Sequence, residues 1–383
     1  MIYLDNAATT YPKPPSVLAA MVRGMERFGG NPGRGGHPLS LAAAEEVWAC
    51  REAAARLFHS DTPERVVFTQ NCTMSLNMAL KGLLANGGHA VCSDVEHNAV
   101  MRPLHALSVA GVASFSAVET DPDDAEKTVE NFRRAITPDT TVLCCTACSN
   151  VTGQGLPIRA LGALARERTL AFVVDGAQAA GTLPLDMKRD NVDFLCLPGH
   201  KGLYGPMGTG LLLCSDRYPL ATWMEGGTGS QSLSFYPPDE LPERLECGTL
   251  NVPGICGLRA GMEFAEKRGV AYIHEKERRV MMPLRDELAA NPRVTVCSAP
   301  LSPQNAPLVT FTVDGVPSER VAEALAVAGV AVRAGYHCAP TAHAKCDTLD
   351  TGAVRVSPSV FTDDRQTTAF LKIFDEIDKK GLQ

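Results

Sequence analysis

The stretch that decides the fold is 191-NVDFLCLPGHKGLYGPMGTGLLL-213. An apolar run ends at Pro198-Gly199, a histidine and a lysine follow, and after a Gly-rich turn a second apolar run begins. Runs this short and this apolar read as strands buried on both faces. Outward from it the pattern repeats. Strand-like runs lie at 65–70, 89–95, 141–148, 170–176 and 208–215, with helical patterns at 41–58, 73–85, 97–111, 124–136 and 159–169. This alternation predicts crossover units on a mostly parallel sheet, an α/β fold. A Gly/Pro-rich stretch at 226–253 breaks the rhythm. A long helical region, about 254–290, follows, then strand-like runs at 293–298, 307–313 and 329–335 and a closing helix at 364–379. The reading is a large α/β domain over 15–250 and a smaller α+β domain over 251–383, with the N-terminal residues 1–14 packed on the smaller one.

Composition narrows the classes. The chain has 383 residues, 45% hydrophobic and 21% charged, enough apolar sequence for a core without metal or disulfide staples. A net charge of −7 speaks against a nucleic-acid backbone binder. No apolar run reaches the length of a membrane span, and the opening MIYLDNAATTYPKPP is no secretory signal, so a cytoplasmic location is expected. There the 13 cysteines are free thiols, most of them small buried hydrophobes. Cys145 and Cys148 form a CxxC within a strand-like run and are not read as a redox or zinc pair; Cys346 reads as an exposed loop cysteine. No metal site is expected, since His89, His105 and His274 have no ligand partners at suitable spacing.

Three segments carry chemistry. Lys201 sits in a Gly-bounded turn between two buried strands; it is either an exposed turn lysine or a desolvated amine suited to a Schiff base. In 169-TLAFVVDGAQAAG-181, Asp175 ends an apolar strand, where it is a helix cap or a carboxylate facing a cationic ring nitrogen. In 66-VVFTQNCTMSLNMAL-80 a helix opens near Thr73, an ordinary cap or an anion site for a phosphate. Neither GxxxxGK[ST] nor GxGxxG follows a strand, which disfavours a nucleotide loop. Taken together, the three segments describe a pyridoxal phosphate site, with His97, after another strand end, placed to stack on the ring.

The chain resembles the fold-type I, class V aminotransferase-like enzymes, and within them the cysteine desulfurases. The resemblance rests on 3-YLDNAATT-10, 33-GRGGHPLS-40, 95-VEHNAV-100, 148-CSNVTG-153, 173-VVDGAQAAG-181, 199-GHKGLYGPMGTG-210, 225-EGGTG-229, 247-CGTLN-251 and 333-RAGYHCAP-340. It implies a seven-stranded-type sheet, the cofactor pyridoxal 5′-phosphate, and a homodimer with its active site at the subunit interface. By the same resemblance Lys201 is the Schiff-base lysine, His200 helps hold the phosphate, Asp175 partners the pyridinium, and Gln178 lies near the ring oxygen. His97 stacks on the ring and moves protons. Cys72 and Thr73 hold the phosphate, joined by Gly227 and Thr249 from the partner chain. Asn150 lies near ring and substrate, Arg355 grips the substrate carboxylate, and Arg333 is the alternative for that grip. Cys72 and Pro198 stand where relatives often carry hydroxyls, a loss for which Ser230 is placed to compensate. Cys338, in a Gly/Pro-bounded loop beside Arg333 and His337, matches the cysteine that takes the sulfur, and nearby cations favour a thiolate. The implied reaction converts L-cysteine to L-alanine with a persulfide on Cys338, for delivery to an acceptor protein. The alternative is a selenocysteine lyase.

Overall fold

The computed structural model describes residues 1–33 and 35–381, with Lys380 described by its backbone; Arg34, in 33-GRGGHPLS-40, lies outside the described residues. Seven strands form one sheet in the order Val66–Thr69, Gly210–Cys214, Phe194–Pro198, Ala171–Asp175, Thr140–Thr146, His89–Ser93, Ser114–Val118. Only Gly210–Cys214 runs antiparallel to its neighbours; the other pairings are parallel. Apolar clusters cover both faces. That is why strands such as Phe194–Pro198 and Gly210–Cys214, wholly buried, read as unbroken apolar runs. The edge strand Ser114–Val118 is half exposed and escapes that reading.

The parallel strands put their carboxyl ends on one rim, where the chain turns into its next segment. Asp175 is the last residue of its strand, and Lys201, Asn150 and His97 follow three others within four residues. The antiparallel strand serves the same rim. Gly210 lies so close to the turn after Thr69 that a Cβ there would meet Thr69 Oγ1 at 2.7 Å and Asn71 backbone at 2.8 Å.

A second, three-stranded antiparallel sheet, ordered Val354–Val356, Val309–Val313, Val294–Val296, packs with helices Val270–Ala290, Ser318–Val327 and Asp364–Lys380 around Phe311, Phe370 and Phe374. The helical region expected over 254–290 is two helices, Val252–Arg268 and Val270–Ala290. The break is Gly269, whose φ of +84° L side chains rarely adopt. The first of the two packs against helix Pro15–Arg27, which the sequence reading did not include, and against Pro38–Phe58.

The N-terminal arm knits the two sheets together. Ile2–Tyr3 pairs in parallel with Val330–Ala331, Asn6 Nδ2 donates to the Ser357 carbonyl at 3.1 Å, and Ala7 N donates to Ser357 Oγ at 2.8 Å. Further along, Thr10 N, the hydroxyls of Thr9 and Thr10, and Lys13 Nζ all donate to the carbonyl of His200, at 2.6–3.2 Å. No helix among the described residues is long and apolar enough to cross a membrane.

Candidate active site

One cavity of about 220 Å³ gathers ten of the residues singled out in the sequence: Cys72, Thr73, His97, Asn150, Asp175, Gln178, His200, Lys201, Arg333 and Arg355. On the sheet side stands Asp175, 3% exposed. Its Oδ1 accepts from Ala177 N at 2.9 Å and from Cys72 Sγ at 3.4 Å, so Oδ2 is left for the cavity. The Cys72 contact was not visible in the sequence. The residue that reads there as a missing hydroxyl turns its thiol to the carboxylate, and burial beside Asp175 pushes that thiol well above its ordinary range.

Lys201 lines the same cavity. Burial pushes its ammonium below the ordinary value; Arg355 adds to the effect and Asp175 opposes it. A neutral amine is the reactive form for condensation with a carbonyl. His200, pushed down to about 4 by burial and then by Lys201 and Lys13, is a neutral ring with Nδ1 buried and unpartnered.

Helix Cys72–Leu83 points its start into the cavity. Asn71 caps it by accepting from Met74 N at 2.9 Å. The amides of Cys72 and Thr73, at the head of the helix, have no intrahelical acceptor and suit an anion. His97 caps helix Asn98–Val109, with Nδ1 accepting from Ala99 N at 2.9 Å. Burial lowers its ring, with Asp175 opposing. A neutral His97 bonded this way carries its proton on Nε2. Behind it Glu96 is wholly buried. Ser93 Oγ and Thr146 N donate to its Oε1, and burial pushes its carboxyl up to about 8.

The opposite wall holds the guanidiniums. Arg355 is 2% exposed; one Nη donates to the Asn150 carbonyl at 2.8 Å, the other meets Asp5 at 3.4 Å, and Nε is buried without a partner. Burial lowers it to about 10. Arg333 joins it through paired backbone hydrogen bonds. From this wall the chain runs into the loop of Cys338, which is exposed and outside the cavity lining. Two bonds tie the loop to the site: Asn150 Nδ2 donates to the His337 carbonyl at 2.7 Å, and Asn98 N donates to the Cys338 carbonyl at 2.7 Å.

Two expectations change. His337 is no cation beside Cys338. It is buried, and burial together with Arg355 and His343 pushes its ring down to about 2, so Arg333 is the cation that remains of the pair. Cys346 is half-buried at the end of helix Pro340–Lys345, with Sγ 3.9 Å from the Cys297 carbonyl and a thiol pushed up by burial. Ser230 sits beside Thr228 in a largely exposed segment, 225–236, outside the lining of this cavity. Gly227 and Thr249 are also outside the cavity lining; both are exposed, and they lie together, since Gly248 N donates to the Gly227 carbonyl at 2.9 Å.

The arrangement offers a buried amine, a carboxylate with one oxygen free, a helix start and an unpartnered imidazole around one cavity. This donor set fits pyridoxal phosphate: amine for its carbonyl, carboxylate for its ring nitrogen, amides for its phosphate. Comparison with known proteins agrees. The aminotransferase class-V profile matches residues 2–370. A probable cysteine desulfurase of Pyrococcus abyssi is 30% identical, the match covering 99% of this chain and 94% of that one. The apo structure of a cysteine desulfurase from Thermococcus onnurineus NA1 superposes with a TM-score of 0.87 at 29% identity, covering 99% and 95% of the two chains. The cysteine desulfurase CsdA from Escherichia coli, in its S-sulfonic acid form, superposes with a TM-score of 0.88 at 27% identity, covering 98% and 94%.

Proposed function

We infer the activity from one premise: the chain belongs to the aminotransferase class-V family. It is a pyridoxal phosphate-dependent cysteine desulfurase, converting L-cysteine to L-alanine and moving the sulfur to an enzyme cysteine. The observation that carries this reading is the cavity lined together by Lys201, Asp175 and Arg355, with His337, the residue before Cys338, in the same lining and tied to Asn150. Nothing in it favours selenocysteine over cysteine.

Pyridoxal phosphate, when bound, supplies a carbonyl that condenses with amines and a pyridinium that withdraws electrons from the substrate. Lys201 would hold it covalently through Nζ, and Asp175 would keep a proton on the ring nitrogen. The Cys72 and Thr73 amides, the Thr73 hydroxyl and His200 would take the phosphate, and Gln178 the ring oxygen. His97 moves protons at Nε2. Arg355 and Asn150 grip the substrate carboxylate, with Arg333 beside them. The Cys338 thiolate attacks the substrate sulfur; an S–S bond forms, the C–S bond breaks with its electron pair left on the substrate carbon, which takes a proton to become the methyl group of alanine, and Cys338 is left as a persulfide. That persulfide passes to an acceptor protein.

A second copy of the chain completes the site in this reading, with Gly227 and Thr249 of the partner subunit at the phosphate end. Two exposed apolar patches support it: Leu18, Val22 and Met25 on helix Pro15–Arg27, and Leu233, Phe235 and Tyr236 beyond Gly227. The division into a large domain over 15–250 and a small one over 1–14 and 251–383 belongs to the same reading. The test is direct. The purified protein is expected to be yellow and dimeric in light scattering. With L-cysteine it releases alanine and sulfide in equal amounts under reductant, and mass spectrometry without reductant finds 32 Da (about one sulfur) added to the Cys338 peptide. A colourless protein that reconstitution with pyridoxal phosphate leaves inactive overturns the reading.

A further inference from the structure

Cys338 is preceded by a histidine that the reaction outlined above leaves without a task. His337 lines the cavity, 4% exposed, with Nε2 buried and unpartnered. Its other nitrogen, Nδ1, lies 3.1 Å from His343 Nε2, and His343 Nδ1 lies 2.6 Å from Thr348 Oγ1. The two rings are nearly parallel, 9° apart. His343 is buried too, and burial lowers its ring. The backbone is held as firmly as the ring. His337 and Cys338 both have positive φ, +48° and +56°, and their carbonyls are the ones bound by Asn150 and Asn98.

We propose that His337 is a further substrate-binding residue, donating from Nε2–H to the carboxylate of the incoming amino acid, and that His343 and Thr348 are positioning residues that hold it in that tautomer. After burial, Arg355 acts most on the His337 ring, His343 and the Arg333 guanidinium add to it, and the Arg333 backbone opposes them as an acceptor, so Nε2 stands beside two guanidiniums that draw an anion. Arg355 brings a second buried nitrogen without a partner, its Nε, to the same wall. Two unsatisfied nitrogens on one cavity wall cost free energy until a ligand arrives with acceptors. An anion there selects the donor tautomer, and the row can supply it without charging any ring. Thr348 Oγ1 lies 2.6 Å from His343 Nδ1 and 3.3 Å from the His343 carbonyl, so its O–H can serve either; when an anion is bound it turns to Nδ1, His343 Nε2–H donates to His337 Nδ1, and the His337 proton sits on Nε2. The inference rests on the amino-acid substrate of the proposed function and adds the residues that recognise its carboxylate end.

The test titrates the holoenzyme with two amines that carry no sulfur, L-alanine and L-alaninamide, following the absorbance of the bound cofactor. His337→Phe is expected to raise the Kd of L-alanine about tenfold or more, the loss expected for a buried hydrogen bond to a charged group. The Kd of L-alaninamide is expected to stay near the wild-type value. Thr348→Val and His343→Phe weaken L-alanine by smaller factors, and Thr348→Val carries the test where His337→Phe does not fold. His343→Gln, whose amide N–H can stand in for Nε2–H, restores tight binding. An unchanged L-alanine Kd in His337→Phe and Thr348→Val, or an equal loss for both amines, overturns the proposal while leaving the desulfurase reading intact. A wild-type holoenzyme that binds neither amine overturns the proposed function, and this inference with it.

Discussion

Asp175→Asn separates charge from shape at the centre of the site. The wild-type Oδ1 accepts from Ala177 N at 2.9 Å and from Cys72 Sγ at 3.4 Å. An asparagine oxygen can accept both, so the strand end and the helix start keep their contacts. The melting temperature is expected to move by about 2 °C or less, the equivalent of under about 1 kcal/mol in a chain of this size. What changes is the atom facing the cavity, where a neutral amide replaces a carboxylate oxygen. Exchanging a charge-assisted hydrogen bond for a neutral one costs about 1–1.5 kcal/mol, or roughly 5- to 13-fold in rate where the bond tightens as charge develops. Asp175 also holds the Lys201 ammonium up against burial, so the variant lysine releases its proton more readily than the wild-type one. The assay pairs sulfide release at saturating L-cysteine with a thermal melt on the same sample. A kcat within twofold of wild type would refute the role of the carboxylate. A low kcat accompanied by a melting temperature lower by more than about 6 °C would show that the residue acts on the fold instead.

Lys201→Ala is expected to lose both covalently retained cofactor and turnover, read by absorbance after dialysis and by alanine release. Cys338→Ala is expected to keep the cofactor, because its contacts lie elsewhere, yet to form no persulfide; wild-type sulfide release from this variant would defeat the sulfur-transfer step. Glu277 gives a pH test. It is buried, with the Tyr204 hydroxyl 3.5 Å from Oε1, and burial raises its carboxyl from 4.5 to about 8. The folded protein therefore keeps a proton that the unfolded chain releases above about pH 4.5, and stability falls from there up to about pH 8. Glu277→Gln has no such proton, so its melting temperature should gain on wild type across that window; parallel melting curves from pH 5 to 9 would refute the argument.

The sheet and the residues at its rim were legible because strands buried on both faces leave a continuous apolar signal, and the chemistry sits where that signal stops. Ser114–Val118 gave no such signal because water meets it at the sheet edge. The break at Gly269 was hidden because apolar periodicity continues on either side of one backbone angle. Within the site, Lys201, Asp175 and Thr73 could be read from their own strand ends. The Cys72–Asp175 contact could not, since it joins residues 103 positions apart. The neutrality of His337 was equally hidden: in sequence it is a cation beside a cysteine, and only burial among Arg355, Arg333 and His343 removes its charge.

The stitching of residues 2–10 onto both sheets has a consequence for how the enzyme is made. The arm is synthesised well before its partners Val330, Ala331 and Ser357; the bond from Asn6 to Ser357 spans 351 positions. The seven-stranded sheet can close once Gly210–Cys214, the only neighbour of Val66–Thr69 among the described residues, has been made. Until Ser357 is made, however, the arm lacks the partners that anchor it, and the His200 carbonyl beside the reactive lysine lacks a fixed set of donors. The wall bearing Arg333 and Arg355 arrives equally late. A complete cofactor site therefore waits on residues as far along the chain as Ser357, a closure of high contact order rather than an early scaffold for the fold.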